Sequence, residues 1–155
     1  MKLGPDHPDT LLGMNNLAGT FLGAERWAEA ESTLRGCLEL RKQTRPDDWW
    51  CFHTMSQLGV ALTGQTRYAE AEPRLIQGYE GLKSREAKIP AWAKKHLAQA
   101  AARLVPFYVA WGKPEQAAAW EAKLGPAGLP ADPCPRGAMG RRTPRDPEGH
   151  TGRPR

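Results

Sequence analysis

The sequence predicts an all-α protein: a solenoid of about three helical hairpins over residues 3–124, followed by a disordered basic tail over residues 125–155. Three observations lead to this prediction. A six-residue phrase occurs twice, apolar residues recur at helical spacing within each copy, and no segment alternates β-branched with polar residues as a strand does. The hairpins are predicted at about residues 5–45, 46–86 and 90–124.

The repeat is measured from the two similar phrases. "RWAEAE" begins at Arg26 and "RYAEAE" begins at Arg67, 41 residues further on. The same shift aligns five further pairs: Pro5/Pro46, Met14/Met55, Leu17/Leu58, Gly23/Gly64 and Leu34/Leu75. A shift of 46 residues aligns a more divergent third copy, and its extra residues are expected around residues 84–91. Periods of about 20–50 residues are typical of stacked repeat units.

Each unit contains two predicted helices, each with a stripe of apolar residues, and these two helices must pack closely against each other. In the first unit the first stripe ends at Gly23, and the second stripe starts near Trp27. Two antiparallel helices approach closely only where one presents a small residue. The small residues at the aligned positions are Ala18, Ala30, Gly59, Ala71 and Ala117. Pro106 falls inside the first helix of the third unit, where we expect a kink or a break because the lost hydrogen bond costs about 3 kcal/mol.

The pattern of Leu-Ala or Leu-Gly, a large apolar residue three positions later and Ala twelve after the small residue resembles the tetratricopeptide repeat. The phrases "LGPDHPDTL", "NNLA" and "AEAE" resemble the kinesin-light-chain type of that repeat. The segment Ala87–Leu124 is similar to the end of the repeat arrays of bacterial serine/threonine protein kinases. The chain itself contains no kinase motif, neither a glycine-rich loop nor an Asp-Phe-Gly sequence. The resemblance implies a non-enzymatic protein-interaction module.

The resemblance also implies a concave groove lined by the first helix of each unit. Asn15 and Asn16 of "NNLA" are the best candidates, because an amide both donates to and accepts from the backbone of an extended peptide. The candidate groove residues, with the positions that the two shifts align to them, are Leu12, Asn15, Asn16, Gly19, His53, Ser56, Gln57, Val60, Gln99 and Arg103. Ala102 and Pro106 complete the alignment in the third unit. A solvated groove without any ligand remains the alternative.

Other chemistry is not expected. Glu29/Glu31 and Glu70/Glu72 are two residues apart on a helix, so each pair points to different sides, and we interpret all four as solvated surface. Cys51 and His53 lack a second pair at metal-ligand spacing. We therefore predict no catalytic residue, no cofactor and no metal.

Three further side chains have packing interpretations. Cys37 is expected to be a buried thiol. Trp49 and Trp50 are expected to cover the core between units, with an exposed aromatic binding edge as the alternative.

Composition limits the possible partners. The formal charge of +5 is concentrated after residue 124, where six arginines face three carboxylates, so we do not expect a nucleic-acid-binding surface on the repeats. Weak contact with nucleic acid through the arginine-rich tail is one alternative function. No apolar run is long enough to span a membrane, and three cysteines without framework spacing suit a reducing, cytoplasmic location. The predicted partner is a protein or peptide. The alternative is a fragment of a longer repeat array, such as the C-terminal region of a kinase.

Overall fold

The computed structural model describes Gly4 and residues 7–125. Within them the chain forms six α-helices and no strand: α1 (Pro8–Gly23), α2 (Trp27–Thr44), α3 (Trp49–Gly64), α4 (Tyr68–Ser84), α5 (Lys94–Ala110) and α6 (Pro114–Leu124). The all-α prediction is therefore confirmed. Two short 3-10 helices, Glu86–Lys88 and Ala91–Ala93, lie between α4 and α5, where the third copy was expected to be longer. The tail predicted to be disordered, residues 125–155, lies outside the described part except for Gly125.

The same turn closes each hairpin. Glu25, Thr66 and Gly112 occupy aligned positions, and all three have positive φ angles, of 58°, 59° and 74°. The next residue donates its backbone N–H five residues back in each case, as from Arg26 to the carbonyl of Phe21 at 2.9 Å. This bond satisfies a carbonyl that the end of the first helix would otherwise leave unpaired.

The helices pack in chain order around a main hydrophobic core, and a second, smaller cluster contains Trp49 and Leu82. Ala18, Ala30 and Ala71 are fully buried in it, as the close-contact prediction requires. A Cβ atom on Gly59 would lie 2.6 Å from the side chain of Leu75 on α4, so only glycine fits at this contact. None of the described helices is both long enough and apolar enough to cross a membrane.

The expected break at Pro106 is wrong, because α5 runs without interruption from Lys94 to Ala110. Leu104 and Phe107, on either side of the proline, are both buried in the core. Pro106 itself is exposed. Packing on both sides of the proline therefore outweighs the single hydrogen bond that it removes.

The interpretation of all four "AEAE" glutamates as solvated surface is wrong for Glu31. Its carboxylate accepts hydrogen bonds from Arg67 Nη1 and Gln65 Nε2, both at 2.8 Å, and pairs with Arg35 at 2.7 Å. Burial raises the pKa of Glu31, but the hydrogen bonds and the two guanidinium charges outweigh that effect and hold the pKa below its usual range. The repeated phrase thus links the first hairpin to the second through Glu31 and Arg67.

Candidate functional site

The first helices of the three hairpins together line a depression of about 500 Å³, here called the central groove. Seven of the ten predicted residues border it: Leu12, Asn15, Asn16, Gly19, His53, Gln57 and Gln99. Ser56 is fully buried below it. Val60 and Arg103 instead border a neighbouring apolar pocket of about 410 Å³, together with Pro106. The structure thus places seven of the ten predicted residues around the central groove, and the other three lie outside it.

Asn15 and Asn16 have opposite environments although they are neighbours in sequence. Asn16 is exposed, as is Gln99 on the other side of the groove. Asn15 is only 3% exposed, and His53 and Gln57 are also buried. Consecutive helical residues point about 100° apart, so one amide faces the core while the next faces solvent.

Asn15 is the centre of a buried hydrogen-bond network that joins three helices. Its Nδ2 donates to Gln57 Oε1 of α3 at 2.6 Å. Its Oδ1 accepts from Arg41 Nη2 of α2 at 2.8 Å and lies 3.2 Å from both Cys37 Sγ and Thr54 Oγ1. Cys37 is buried, as expected. Sequence reasoning missed this network because its members are up to 42 residues apart.

Two imidazoles face each other at the centre of the groove. The ring centroids of His53 and His96 are 4.1 Å apart. Burial lowers the pKa of His53 well below its usual value, and the nearby positive charges of His96, Arg103 and Arg41 act in the same direction. Burial also lowers the pKa of His96. Both rings are therefore neutral at physiological pH.

Two guanidinium groups flank the imidazoles. Arg103 Nη1 donates to Ser56 Oγ at 2.7 Å, and Arg41 donates to Asn15. Burial lowers the pKa of Arg103 to about 10, so the group keeps its charge at neutral pH. Lys95 adds an exposed ammonium at the rim of the groove.

Three indoles form a cluster at one end of the groove. Trp49 stacks on Trp50 with ring centroids 4.3 Å apart, and the Trp92 ring lies 6.0 Å from Trp49. Trp49 is buried with Ala93 and Leu82, which agrees with the predicted cover over the core. Trp92 is 63% exposed and supplies an aromatic edge that the sequence reasoning did not single out. The cluster borders a second depression of about 530 Å³, here called the tryptophan pocket.

Comparison with known families covers the first two hairpins. Residues 9–84 match the family model of the tetratricopeptide repeat. The matched segment contains α1 to α4, which carry the two copies with the 41-residue spacing. The match supports the tetratricopeptide-repeat family for this chain, and such repeats are generally protein–protein interaction modules. A comparison with curated proteins gave no match.

Proposed function

We propose that the chain is a non-enzymatic protein–protein interaction module that binds a peptide or a partner surface in the central groove. The observation that carries the proposal is the pair of exposed amides, Asn16 on α1 and Gln99 on α5, at opposite sides of a groove of about 500 Å³. Each of the two amides can both donate a hydrogen bond to and accept one from the backbone of an extended peptide. We also propose that the repeats are of the kinesin-light-chain type, on the phrases "LGPDHPDTL", "NNLA" and "AEAE", and that the protein is cytoplasmic, on its three cysteines without framework spacing.

The surroundings of the two amides suit a binding surface. Leu12 and Trp92 are exposed apolar side chains at the same groove, so backbone contacts would be accompanied by apolar contacts. The network around Asn15 fixes α1 against α2 and α3, which holds the groove in one shape before a partner arrives. A preformed groove binds more tightly because less conformational entropy is lost on association.

The test is affinity capture with the immobilised full chain. The double variant Asn16→Ala/Gln99→Ala should lose the proteins that the wild type retains, because both backbone contacts are removed. Gln43→Ala is the matched control, since Gln43 is an exposed amide on α2 away from the groove. An identical set of proteins on wild type and double variant would overturn the groove assignment.

A second candidate role, as part of a longer repeat array, is supported by one residue. Leu17 is 49% exposed, whereas the aligned Leu58 and Leu104 are fully buried in the main core. The first hairpin thus presents a stacking face that is covered in the other two. Fusing a second copy of residues 8–48 ahead of α1 should raise the thermal midpoint of unfolding, and Leu17→Glu in the fusion should cancel the gain. An unchanged midpoint would speak against this role.

A further inference from the structure

The tryptophan pocket lies at the end of the hairpins opposite their closing turns. It is bordered by the start of α1, the end of α2, the start of α3 and the 3-10 helix Ala91–Ala93. The second helix α2 contributes three residues to it: Arg41, Thr44 and Arg45. Because a second helix forms one of its walls, the pocket is a depression distinct from the central groove, which only it adjoins through shared side chains such as Trp92.

The pocket presents apolar and aromatic surface to solvent. Trp92 is 63% exposed and Leu12 is 41% exposed, although both are large apolar side chains. The rings of Trp50 and Trp92 have centroids 6.3 Å apart and planes at 46°, so neither ring covers the face of the other. Exposed aromatic surface gathered at one depression indicates a place where another apolar group packs.

The lining also contains a buried hydrogen-bond donor that is not used. Arg41 is only 6% exposed, and its Nη2 donates to Asn15 at 2.8 Å. Its guanidinium carbon lies 5.1 Å from the centre of the Trp50 ring. Its Nε, however, is buried and has no partner among the described residues. Buried polar atoms are nearly always paired, so this donor indicates a ligand that brings an acceptor.

A proline-rich peptide meets both requirements. Polyproline II chains bind to aromatic surfaces through their proline rings, and little conformational entropy is lost because the chain is already extended. Their backbone carbonyls form no internal hydrogen bonds, and proline has no N–H group of its own. A carbonyl of such a peptide can therefore accept from Arg41 Nε while its prolines pack on the indoles.

The tail of the chain contains a sequence of this kind. Arg141, Pro144 and Pro147 follow one another at intervals of three residues in "RRTPRDP". A polyproline II chain has three residues per turn, so residues at this spacing share one face. Pro130 and Pro133 have the same spacing, but the residue three before Pro130 is an alanine rather than a cation.

From these observations we infer that the tail segment 141–147 binds in the tryptophan pocket of its own chain. Pro144 and Pro147 pack against Trp50 and Trp92, and a backbone carbonyl of the segment accepts from the free donor in the lining. The inference goes beyond the proposed function, because the pocket is separate from the central groove and the occupant is the chain itself.

The charges of the pocket fit this segment. Besides the buried Arg41, the lining has two carboxylates, Asp9 and Asp48, and one exposed guanidinium, Arg45. The segment 141–147 carries three arginines and one aspartate. Its excess of arginines is therefore matched to the excess of carboxylates at the surface of the pocket, and its first arginine forms a charge-assisted contact there.

The tail also starts at the correct end of the molecule. Leu124, the last residue of α6, borders a depression together with Lys94, the first residue of α5. Trp92 of the tryptophan pocket lies two residues before Lys94. Residues 126–140 precede the segment, and about 15 residues can span up to about 50 Å. Two adjacent helices are together only about 20 Å wide, so the segment can reach the pocket.

The first experiment uses the six tryptophans as reporters in the full, isotope-labelled chain. Their indole N–H signals are recorded by two-dimensional nuclear magnetic resonance, with and without a nitroxide label on the thiol of Cys134. Cys37 and Cys51 are buried and are therefore protected from the label. The nitroxide broadens the signals of those indoles that the tail approaches.

Broadening at Trp50 and Trp92, but not at Trp27, is the expected result, because Trp27 begins α2 at the opposite end of its hairpin. Absence of broadening at Trp50 and Trp92, or equal broadening of all six signals, would overturn the inference. In a mixture of nitroxide-labelled and isotope-labelled chains the signals should stay sharp. Broadening in that mixture would show that the tail binds a second copy of the chain, which would overturn binding within one chain.

Proline substitutions identify the segment that is responsible. Pro144→Ala/Pro147→Ala should abolish the broadening, since it removes both rings that pack on the indoles. Pro130→Ala/Pro154→Ala is the matched control, because it removes two prolines of the same tail outside the segment. Broadening that survives the first double variant, or that both double variants abolish equally, would overturn the assignment to 141–147.

The second experiment measures the affinity of a fluorescent peptide with the sequence of residues 138–150 by anisotropy. The peptide should bind the Pro144→Ala/Pro147→Ala variant severalfold more tightly than the wild type, because in the wild type the tethered segment competes at a high effective concentration. Equal affinities for the two proteins would show that the tail does not occupy the pocket, and would overturn the inference.

The carboxylates are tested with the same peptide in that variant. Asp48→Asn should weaken binding about two- to fivefold, since it removes a charge at the pocket. The amide oxygen can still accept from the N–H of Trp50, so the start of α3 remains capped. Asp47→Asn is the matched control, because Asp47 pairs with Arg85 instead of bordering the pocket. Equal effects of the two substitutions would contradict the site.

Discussion

Replacing Asn15 by alanine should destabilise the protein far more than the same change at Asn16. Asn15→Ala removes the acceptor of Arg41 Nη2 at 2.8 Å and the donor to Gln57 Oε1 at 2.6 Å. Losing a hydrogen bond to a buried charge costs about 1.5–3 kcal/mol and losing a neutral one costs about 1 kcal/mol. Alanine's higher helix propensity returns about 0.5 kcal/mol. The net loss in the free energy of unfolding is therefore about 3 kcal/mol, since both lost bonds are buried.

Unfolding by urea, monitored by far-ultraviolet circular dichroism, measures this difference in the free energy of unfolding. Thermal unfolding is a second measurement: for a domain of this length, a loss of about 3 kcal/mol corresponds to a fall of about 10 °C in the midpoint of thermal unfolding. Asn16→Ala is the internal control, because it makes the same chemical change one position along the same helix, at an exposed residue. Its effect should stay within about 0.5 kcal/mol of zero.

The assignment of the network can be refuted in two ways. If Asn15→Ala cost less than about 1 kcal/mol, the buried bonds would not contribute as their geometry requires. A double-mutant cycle with Arg41→Met tests the pair directly, because methionine needs no hydrogen-bond acceptor. In the Arg41→Met background, Asn15→Ala should cost about 1–2 kcal/mol less than it does in the wild type. Additive effects would show that Asn15 and Arg41 do not interact.

Three further predictions test packing and protonation. Gly59→Ala should destabilise the protein by about 1–3 kcal/mol in urea unfolding, because the added Cβ would lie 2.6 Å from a leucine of α4. Gly19→Ala is the control and should stabilise the protein, because its Cβ would meet nothing within 4 Å. Equal effects of the two substitutions would contradict the close contact at Gly59. Leu58→Ala should lower the free energy of unfolding by about 2–5 kcal/mol, because the Leu58 side chain is fully buried. Leu17→Ala should lower it by less than about 1 kcal/mol, because Leu17 is about half exposed. A large loss for Leu17→Ala would show that Leu17 is not on an uncovered surface. The pKa of His53 is lower in the folded protein than in the unfolded chain, so the unfolded state binds the proton first as the pH falls. The contribution of His53 to stability is therefore fully present above about pH 6.5 and is lost as the pH falls below that value. His53→Gln should flatten this decline in the midpoint of thermal unfolding. An unchanged pH profile in that variant would remove His53 as the cause.

The sequence predicted the architecture well because architecture is repeated. Ala30 and Ala71 are close contacts in both copies, and the closing turn recurs at Glu25 and Thr66 with nearly the same φ angle. Each of these features depends on residues within one unit or at a fixed shift from it. A single chain compared with itself therefore contains enough information to find them.

The polar interactions were not predictable in the same way. Arg41 falls on the buried side of α2 by periodicity, yet its partner lies on α1 and its ring contact, Trp50, lies on α3. Glu31 reaches an arginine 36 residues away. Such pairs depend on the rotation of one helix relative to the next, which hydrophobic spacing alone does not determine. The continuity of α5 through Pro106 has the same origin, because tertiary packing overrides a local preference.

The alignment of Asn16 with Gln57, 41 residues apart, correctly predicts equivalent places in the fold but does not predict equivalent roles. Asn16 aligns with Gln57, but Asn16 is exposed while Gln57 is buried and bonded to Asn15. A binding assay on Gln57→Ala would therefore mix a loss of stability with any loss of contact. Asn16, Gln99 and Lys95 are exposed polar residues of the groove that take no part in the buried network, so their side chains can change without disturbing it. Loss of binding in variants of those three residues, with an unchanged midpoint of unfolding, is the result that can be attributed to the groove itself.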